Sequence, residues 1–210
     1  LCRDWSSDVC SSDLMGGDGS VSLPLVRAAA KRHRGMVALH IDAHTDTYPY
    51  APDDKYNTAT QFTHAAQEQL VAASLSYHIG MRGTTYTAGV YDFTRSLGYN
   101  IITLRELMKR GIDDVLAELH ERLAGRPVYL CFDMDAFDPS VAPGVATPSW
   151  GGLLAREGLE LLRGLAGLDI VAVDVNTVSP PHDVQGMTAS LAAQVMYEGM
   201  VLLCRKLGLD

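Results

Sequence analysis

Residues 128–132, Val-Tyr-Leu-Cys-Phe, form an unbroken apolar run that leads directly into Asp133, Asp135 and Asp138. Such a run reads as a short strand buried on both faces. Side chains two apart on an extended backbone share one side, so Asp133 and Asp135 point the same way. Two carboxylates held that close repel, and buried ones are rarely left without a partner. A cation between them relieves both penalties. A second strand-like stretch, Met36–Ile41, leads into Asp42-Ala43-His44-Thr45-Asp46, which places an imidazole among the acids. The competing reading, that these acids form salt bridges or cap turns, finds no basic residue in either motif.

The rest of the chain alternates strands with helices. Strands are expected at 36–41, 76–81, 99–103, 128–132 and 170–175. Helices are expected after Ser20, over 60–73, 86–97, 112–123 and 152–165, and from about Thr188 to Lys206. Near-continuous apolar strands separated by helices of ten or more residues specify a parallel sheet covered on both faces. No internal repeat or linker interrupts it, so one layered domain is expected. Ligands of such sheets gather beyond the carboxyl ends of the strands. Both acid clusters stand there, and Asp174 lies in or near the end of a third strand.

Hard divalent ions of the Mn²⁺ type take carboxylate and imidazole ligands. Two ions about 3.5–4 Å apart can share carboxylates and generate hydroxide from water near neutral pH. Asp42 and Asp133 each open a cluster and suit a bridging position. His44 and Asp135 can complete one ion and Asp46 can serve the other. Asp138 is expected to orient the loop at Pro139 rather than touch metal.

The net charge of −8 over 210 residues gives no basic footprint, which argues against nucleic acid as a partner and suits a small cationic substrate. The four cysteines lack zinc spacing, and Cys131 sits inside a strand, a pattern of reduced thiols in a cytoplasmic protein. No apolar run of membrane length and no signal peptide is read, so no membrane partner is expected. Residues 1–14 are polar, follow neither period, and resemble translated adapter sequence. They are expected to be a non-native or disordered segment, with residues 15–210 forming a single, N-terminally truncated catalytic domain.

The two acid motifs, together with 142–148 (Ala-Pro-Gly-Val-Ala-Thr-Pro) and Gly151-Gly152-Leu153, resemble the ureohydrolase superfamily, the arginase and agmatinase group. Among its members the chain looks most like agmatinase and related guanidino-acid hydrolases. The resemblance covers Met15 to the C-terminus. It implies a three-layer αβα sandwich with a mainly parallel sheet, usually oligomeric, and a two-manganese centre that hydrolyses guanidino or amidine compounds to urea and an amine. By the same resemblance Asp42 and Asp133 bridge the two ions, Asp46 serves the first, and His44 and Asp135 serve the second.

Three positions depart from the family pattern. Gly19 stands where relatives carry a metal-binding His, Thr58 where they carry a His that aids proton transfer and substrate positioning, and Thr177 where they carry a guanidinium-binding Glu. Thr58 and Thr177 are therefore the candidate substrate-binding positions. Asp46 and His182 are the candidates for handling the proton, since an imidazole titrates in the useful range; for His182 a solvent-facing turn residue is the competing reading. His64 is a weaker substitute, and Tyr48, Tyr50 and Tyr56 can line a substrate mouth. Two functional readings follow. One is a metal-dependent hydrolase of linear C–N bonds in guanidino compounds, acting through a metal-bridging hydroxide in a homo-oligomer. The other is a catalytically impaired member that serves as a structural or regulatory subunit beside an active homologue.

Overall fold

A computed structural model describes residues 13–15 and 17–206. Six strands form one parallel sheet: β1 (Asp13–Met15), β2 (Val37–Ile41), β3 (Tyr77–Met81), β4 (Asn100–Thr103), β5 (Pro127–Asp133) and β6 (Asp169–Asn176). Their spatial order is β1-β6-β5-β2-β3-β4. Seven α-helices are described: α1 (Ser22–Arg32), α2 (Gln61–Gln67), α3 (Val90–Ser96), α4 (Leu104–Arg110), α5 (Ile112–Leu123), α6 (Ala155–Gly164) and α7 (Met187–Lys206). Residues 1–12 lie outside the described residues, and Asp13 and Leu14 of the adapter-like segment open β1.

Strand alternation builds the layers. Val37, Leu39 and Ile41 of β2 and Val128, Leu130 and Phe132 of β5 face a core shared with Leu107, Val115, Leu119, Leu161 and Val195, which come from α4 to α7. Met36 and Ala38, with Tyr129 and Cys131, face the other way onto Val26 of α1 and Phe62 and Ala65 of α2. The result is the expected three-layer α/β sandwich. Asp42 and Asp133 continue the parity of the second set, which puts them toward α1 and α2.

Several element boundaries moved. The 60–73 helix ends at Gln67, because Gln69 takes a positive φ of 55° and the chain turns before the short 3₁₀ segment Ala73–Leu75. The helix expected from Tyr86 starts only after Gly89, whose φ is 76°. Helix α4 was not anticipated; the Thr103 side chain caps it by accepting from Glu106 N at 3.2 Å. Residues 187–205 of α7 are long and apolar enough to match a membrane span by length and composition, contrary to the expectation of no such run. In this chain Ala192, Val195, Met196, Leu202 and Leu203 bury one side of that helix in the core.

The loop that carries Asp135 and Asp138 rests on α6. Phe137 packs against Phe132 with ring centroids 5.2 Å apart, and a Cβ at Gly158 would lie 2.3 Å from the Phe137 ring. Exposed helix glycines are stabilised by alanine, by roughly 0.5–1 kcal/mol. Here the sign reverses: Gly158→Ala is expected to cost about 1–3 kcal/mol through overpacking. Urea denaturation measures it, and a stabilised variant would show that Phe137 yields freely.

Candidate metal centre

Register brings the two acid motifs together. β2 and β5 are neighbours with Ile41 opposite Phe132, so Asp42 and Asp133, each the next residue, emerge side by side at the carboxyl edge of the sheet. Each then bends its own loop by accepting a backbone N–H two residues on: His44 N to Asp42 at 2.6 Å and Asp135 N to Asp133 at 2.8 Å. Asp135 reaches back across the strands and accepts from Ala43 N at 3.1 Å and from the Thr147 hydroxyl at 3.0 Å. The close approach of β3 requires a glycine: Gly80 has φ 104°, and a Cβ there would lie 2.7 Å from the Asp42 carbonyl oxygen. Arg82, just past β3, braces the arrangement by donating to the carbonyls of Asp135 (2.7 Å), Phe137 (3.0 Å) and Ser149 (2.7 Å). Its charge is directed at carbonyls, so the carboxylates keep their oxygens.

Two groups of potential ligand atoms result, each with all atoms within 4.8 Å of one another: Asp42 with His44 and Asp135, and Asp42 with His40 and Asp46. Asp42 belongs to both, which fits a shared position between two cations. His44 Nδ1 lies 3.0 Å from Asp135 and 3.4 Å from Asp42. His40 was not anticipated, although its place two residues before Asp42 on the same strand face was legible. It is fully buried, and its Nε2 is 2.9 Å from Asp42 Oδ2 without an aligned hydrogen bond. Its Nδ1 meets Nδ1 of His78, its partner across β2 and β3, at 2.9 Å. Burial lowers both imidazoles, His40 to about 4, so both are neutral near pH 7.

Burial and crowding work against the acids. Burial first, then the charge of Asp135, raises Asp42 to about 8. Burial raises Asp46 well above the ordinary carboxylate range, and Asp42 adds to it. Asp133 is raised by burial and then by Asp135, Asp42 and Asp46. Asp135 alone is held below the usual range, because His44 outweighs the burial that opposes its ionisation. Burial likewise opposes charge on His44, but hydrogen bonds to Asp135 and Asp42 prevail and lift it to about 12. With protein groups alone, the imidazolium of His44 is the main positive charge among four buried acids. His40 Nε2, Asp42 Oδ2 and Gln61 Oε1 are buried here without an aligned partner. This donor set, rich in oxygen with imidazole beside it and several atoms still unpartnered, fits divalent cations.

The other candidates take distinct places. Thr177 is 8% exposed, with φ 68°; its hydroxyl donates to Asn176 Oδ1 at 2.8 Å and lies beside Asp133, whose ionised form it would favour by donating there instead. The Thr58 hydroxyl accepts from Gly19 N at 3.2 Å. Asp138 accepts from the backbone of Ser140, Gly151 and Gly152 at 2.8–3.0 Å, which ties the ends of its loop together. Interaction with Ser140 leads the groups that hold it down to about 2. His182 is exposed, with Nδ1 2.7 Å from the Ser179 hydroxyl. His64 is buried and engaged by the Lys55 carbonyl at 2.7 Å and by the rings of Tyr50 and Tyr56. Tyr48 is buried, while Tyr56 is 60% exposed. Asp174 is a buried acid set within the network of Ser22, Tyr129, Cys131 and Asn176.

A cation requires Asp42 ionised, whereas near pH 7 a group raised to about 8 carries its proton. Binding of Mn²⁺ is therefore expected to release protons, and its apparent affinity to climb with pH throughout the range 6 to 9, since Asp46, Asp133 and His44 must also give up protons to serve as ligands. Calorimetry in buffers of different ionisation enthalpy checks this; an affinity constant from pH 6 to 9 would contradict it.

A protein-family model described as the Arginase family matches residues 11–202. Guanidinobutyrase of Pseudomonas aeruginosa is 36% identical over 189 residues, covering 90% of this chain and 59% of that protein. Human mitochondrial guanidino acid hydrolase is 35% identical over 195 residues, covering 93% of this chain and 54% of its own length. Among solved structures, the proclavaminate amidino hydrolase of Streptomyces clavuligerus superposes with a TM-score of 0.87 at 36% identity, covering 92% of this chain and 64% of that one. The arginase of Bacillus caldovelox superposes with a TM-score of 0.79 at 27% identity, covering 90% and 67%. The chain thus spans under two thirds of the length of these curated relatives. With the family model matched from residue 11 to residue 202 and the acid clusters gathered at one edge of the sheet, the chain belongs to the arginase family.

Proposed function

We propose that this chain is a manganese-dependent hydrolase of guanidino compounds, releasing urea and an amine. The observation that carries the reading is the pair of ligand groups sharing Asp42 at the carboxyl edge of the sheet. The printed names of the relatives, guanidinobutyrase, guanidinopropionase and guanidino acid hydrolase, support the substrate class. Asp42, Asp133, His44, Asp135 and Asp46 would hold the ions. When bound, such ions supply Lewis acidity and lower the pKa of water.

The protein groups do the rest. Asp42 and Asp133 are held in place by the backbone N–H groups they accept, and Arg82 fixes the loop that presents Asp135. Asp46, buried beside Asp42 and held by the Gln61 amide, is the carboxylate proposed to relay the proton to a departing amine. Thr177, neutral and set beside Asp133, offers a hydroxyl to the substrate where a carboxylate would add charge. The substrate's guanidinium would then donate to a neutral hydroxyl oxygen, a weaker contact than the bidentate pair it forms with a carboxylate. We also propose a cytoplasmic location and a homo-oligomeric state. The second reading, an impaired subunit beside an active homologue, draws on Gly19, Thr58 and Thr177.

Urea release from 4-guanidinobutyrate, 3-guanidinopropionate and agmatine tests the proposal. Activity is expected with Mn²⁺, absent after chelation and restored by Mn²⁺. Asp133→Asn is expected to lower kcat/KM by at least about 10²-fold, because ion-assisted charge stabilisation is worth several kcal/mol. A folded, metal-loaded chain that releases urea from none of the three favours the impaired-subunit reading.

A further inference from the structure

Gly19 and Gln61, distant in sequence, meet beside Asp46. Gly19 is buried in the 3₁₀ turn Gly19–Val21, and the space a side chain would need there is filled. A Cβ on Gly19 would lie 2.6 Å from Gln61 Nε2, 2.8 Å from the Thr58 carbonyl oxygen and 3.1 Å from Asp46 Oδ2. Gln61, the first residue of α2, is 2% exposed. Its amide nitrogen donates to the Asp46 carboxylate, and its amide oxygen, fully buried, has no partner.

An amide buried this deeply almost always satisfies both ends. Turning it over does not help, since the oxygen would then face the Asp46 carboxylate and the nitrogen would lose its acceptor. Either orientation strands one polar atom next to a group of potential cation ligands, His40, Asp42 and Asp46. A divalent cation resolves the problem: the nitrogen keeps Asp46 in place and the oxygen gains a positive partner. Amide oxygens are hard, neutral donors of the kind that suit Mn²⁺ or Mg²⁺ better than softer ions.

We propose that Gln61 is a ligand of the cation gathered by Asp42 and Asp46, its amide oxygen supplying the donor that Gly19 cannot. The proposal rests on the metal-hydrolase reading above and deepens it. Gly19 is then required as glycine, because any side chain there would displace the amide or press on the Thr58 carbonyl.

The test is Mn²⁺ stoichiometry and affinity on the full chain after chelator treatment, by calorimetry and by metal analysis after desalting. The unmodified chain is expected to bind two ions. Gln61→Met should keep one ion at unchanged affinity and lose the other or weaken it by at least about tenfold, the scale on which a lost metal-supporting contact acts. Gln61→Glu, isosteric and anionic, should bind two ions and tighten the weaker site. Circular dichroism and melting of the metal-free variants establish that they fold. If Gln61→Met does not fold, Gln61→Glu decides, and an unchanged weaker site overturns the proposal. Two ions of unchanged affinity in Gln61→Met also overturn it, as does a single ion in the unmodified chain; both leave the hydrolase reading standing. Two Gln61-dependent ions without urea release support the ligand and count against the hydrolase alone. No bound ion overturns both.

Discussion

Repulsion among Asp42, Asp46, Asp133 and Asp135 is the constraint on which the rest of the site depends. Three of the four are driven toward their protonated forms by burial and by one another. The fourth stays ionised because His44 stands 3.0 Å away. Such crowding is tolerated where a multivalent cation supplies the compensating charge, since each carboxylate then meets an attractive neighbour instead of a like one. The acids are held by backbone N–H groups of Ala43, His44 and Asp135, which position without neutralising.

That division of labour extends outward. Arg82 lies close enough to act on the cluster's charges, yet its guanidinium is directed at three carbonyl oxygens and stabilises the loop. Asp138 closes the other side of the loop through backbone amides of Ser140, Gly151 and Gly152. Asp46 and Thr177 both hold positive φ, 49° and 68°, a conformation that non-glycine residues keep only where the surroundings demand it. For Thr177 the demand is visible: its N–H donates to the Gly17 carbonyl at 2.8 Å, fixing the turn that sets the hydroxyl beside Asp133. Asp46 and Thr177 thus carry backbone strain at the carboxyl edge of the sheet, where the chemistry is expected, while Gln69 has a positive φ in the turn after α2.

The strands were legible because each is a short apolar run bounded by turns, and β2, β3, β5 and β6 fall close to where the pattern puts them. Helix ends were less so. The 60–73 segment has helical composition throughout, but a left-handed Gln69 lets Leu70 N donate back to the Ala65 carbonyl and closes α2, and a left-handed Gly89 delays α3. Helix α4 is only seven residues long, too short to show a convincing period. At the site, Asp42, His44 and Asp135 were readable as one constellation from spacing at strand ends. His40 shares a strand face with Asp42 by spacing alone, but a histidine inside an apolar strand reads as a packing residue, and only the register sets it against His78. Gln61 carried no signal, since its significance lies in contact with Asp46 and with the backbone at Gly19.

By itself the sequence determined that this is a layered parallel α/β domain and that its acids collect at strand ends, because period and spacing are local properties of the chain. Set against the family pattern it resembles, it also marked three departures, Gly19, Thr58 and Thr177. The tertiary structure decided everything that depends on register and on approach between distant segments. It set Asp42 beside Asp133, gave Asp42 to two ligand groups, turned Arg82 away from the acids, and filled the space at Gly19 with the amide of Gln61. The physical reason is that a buried polar atom is judged by its partner, and the partner of each of these atoms is supplied by a different element of the fold.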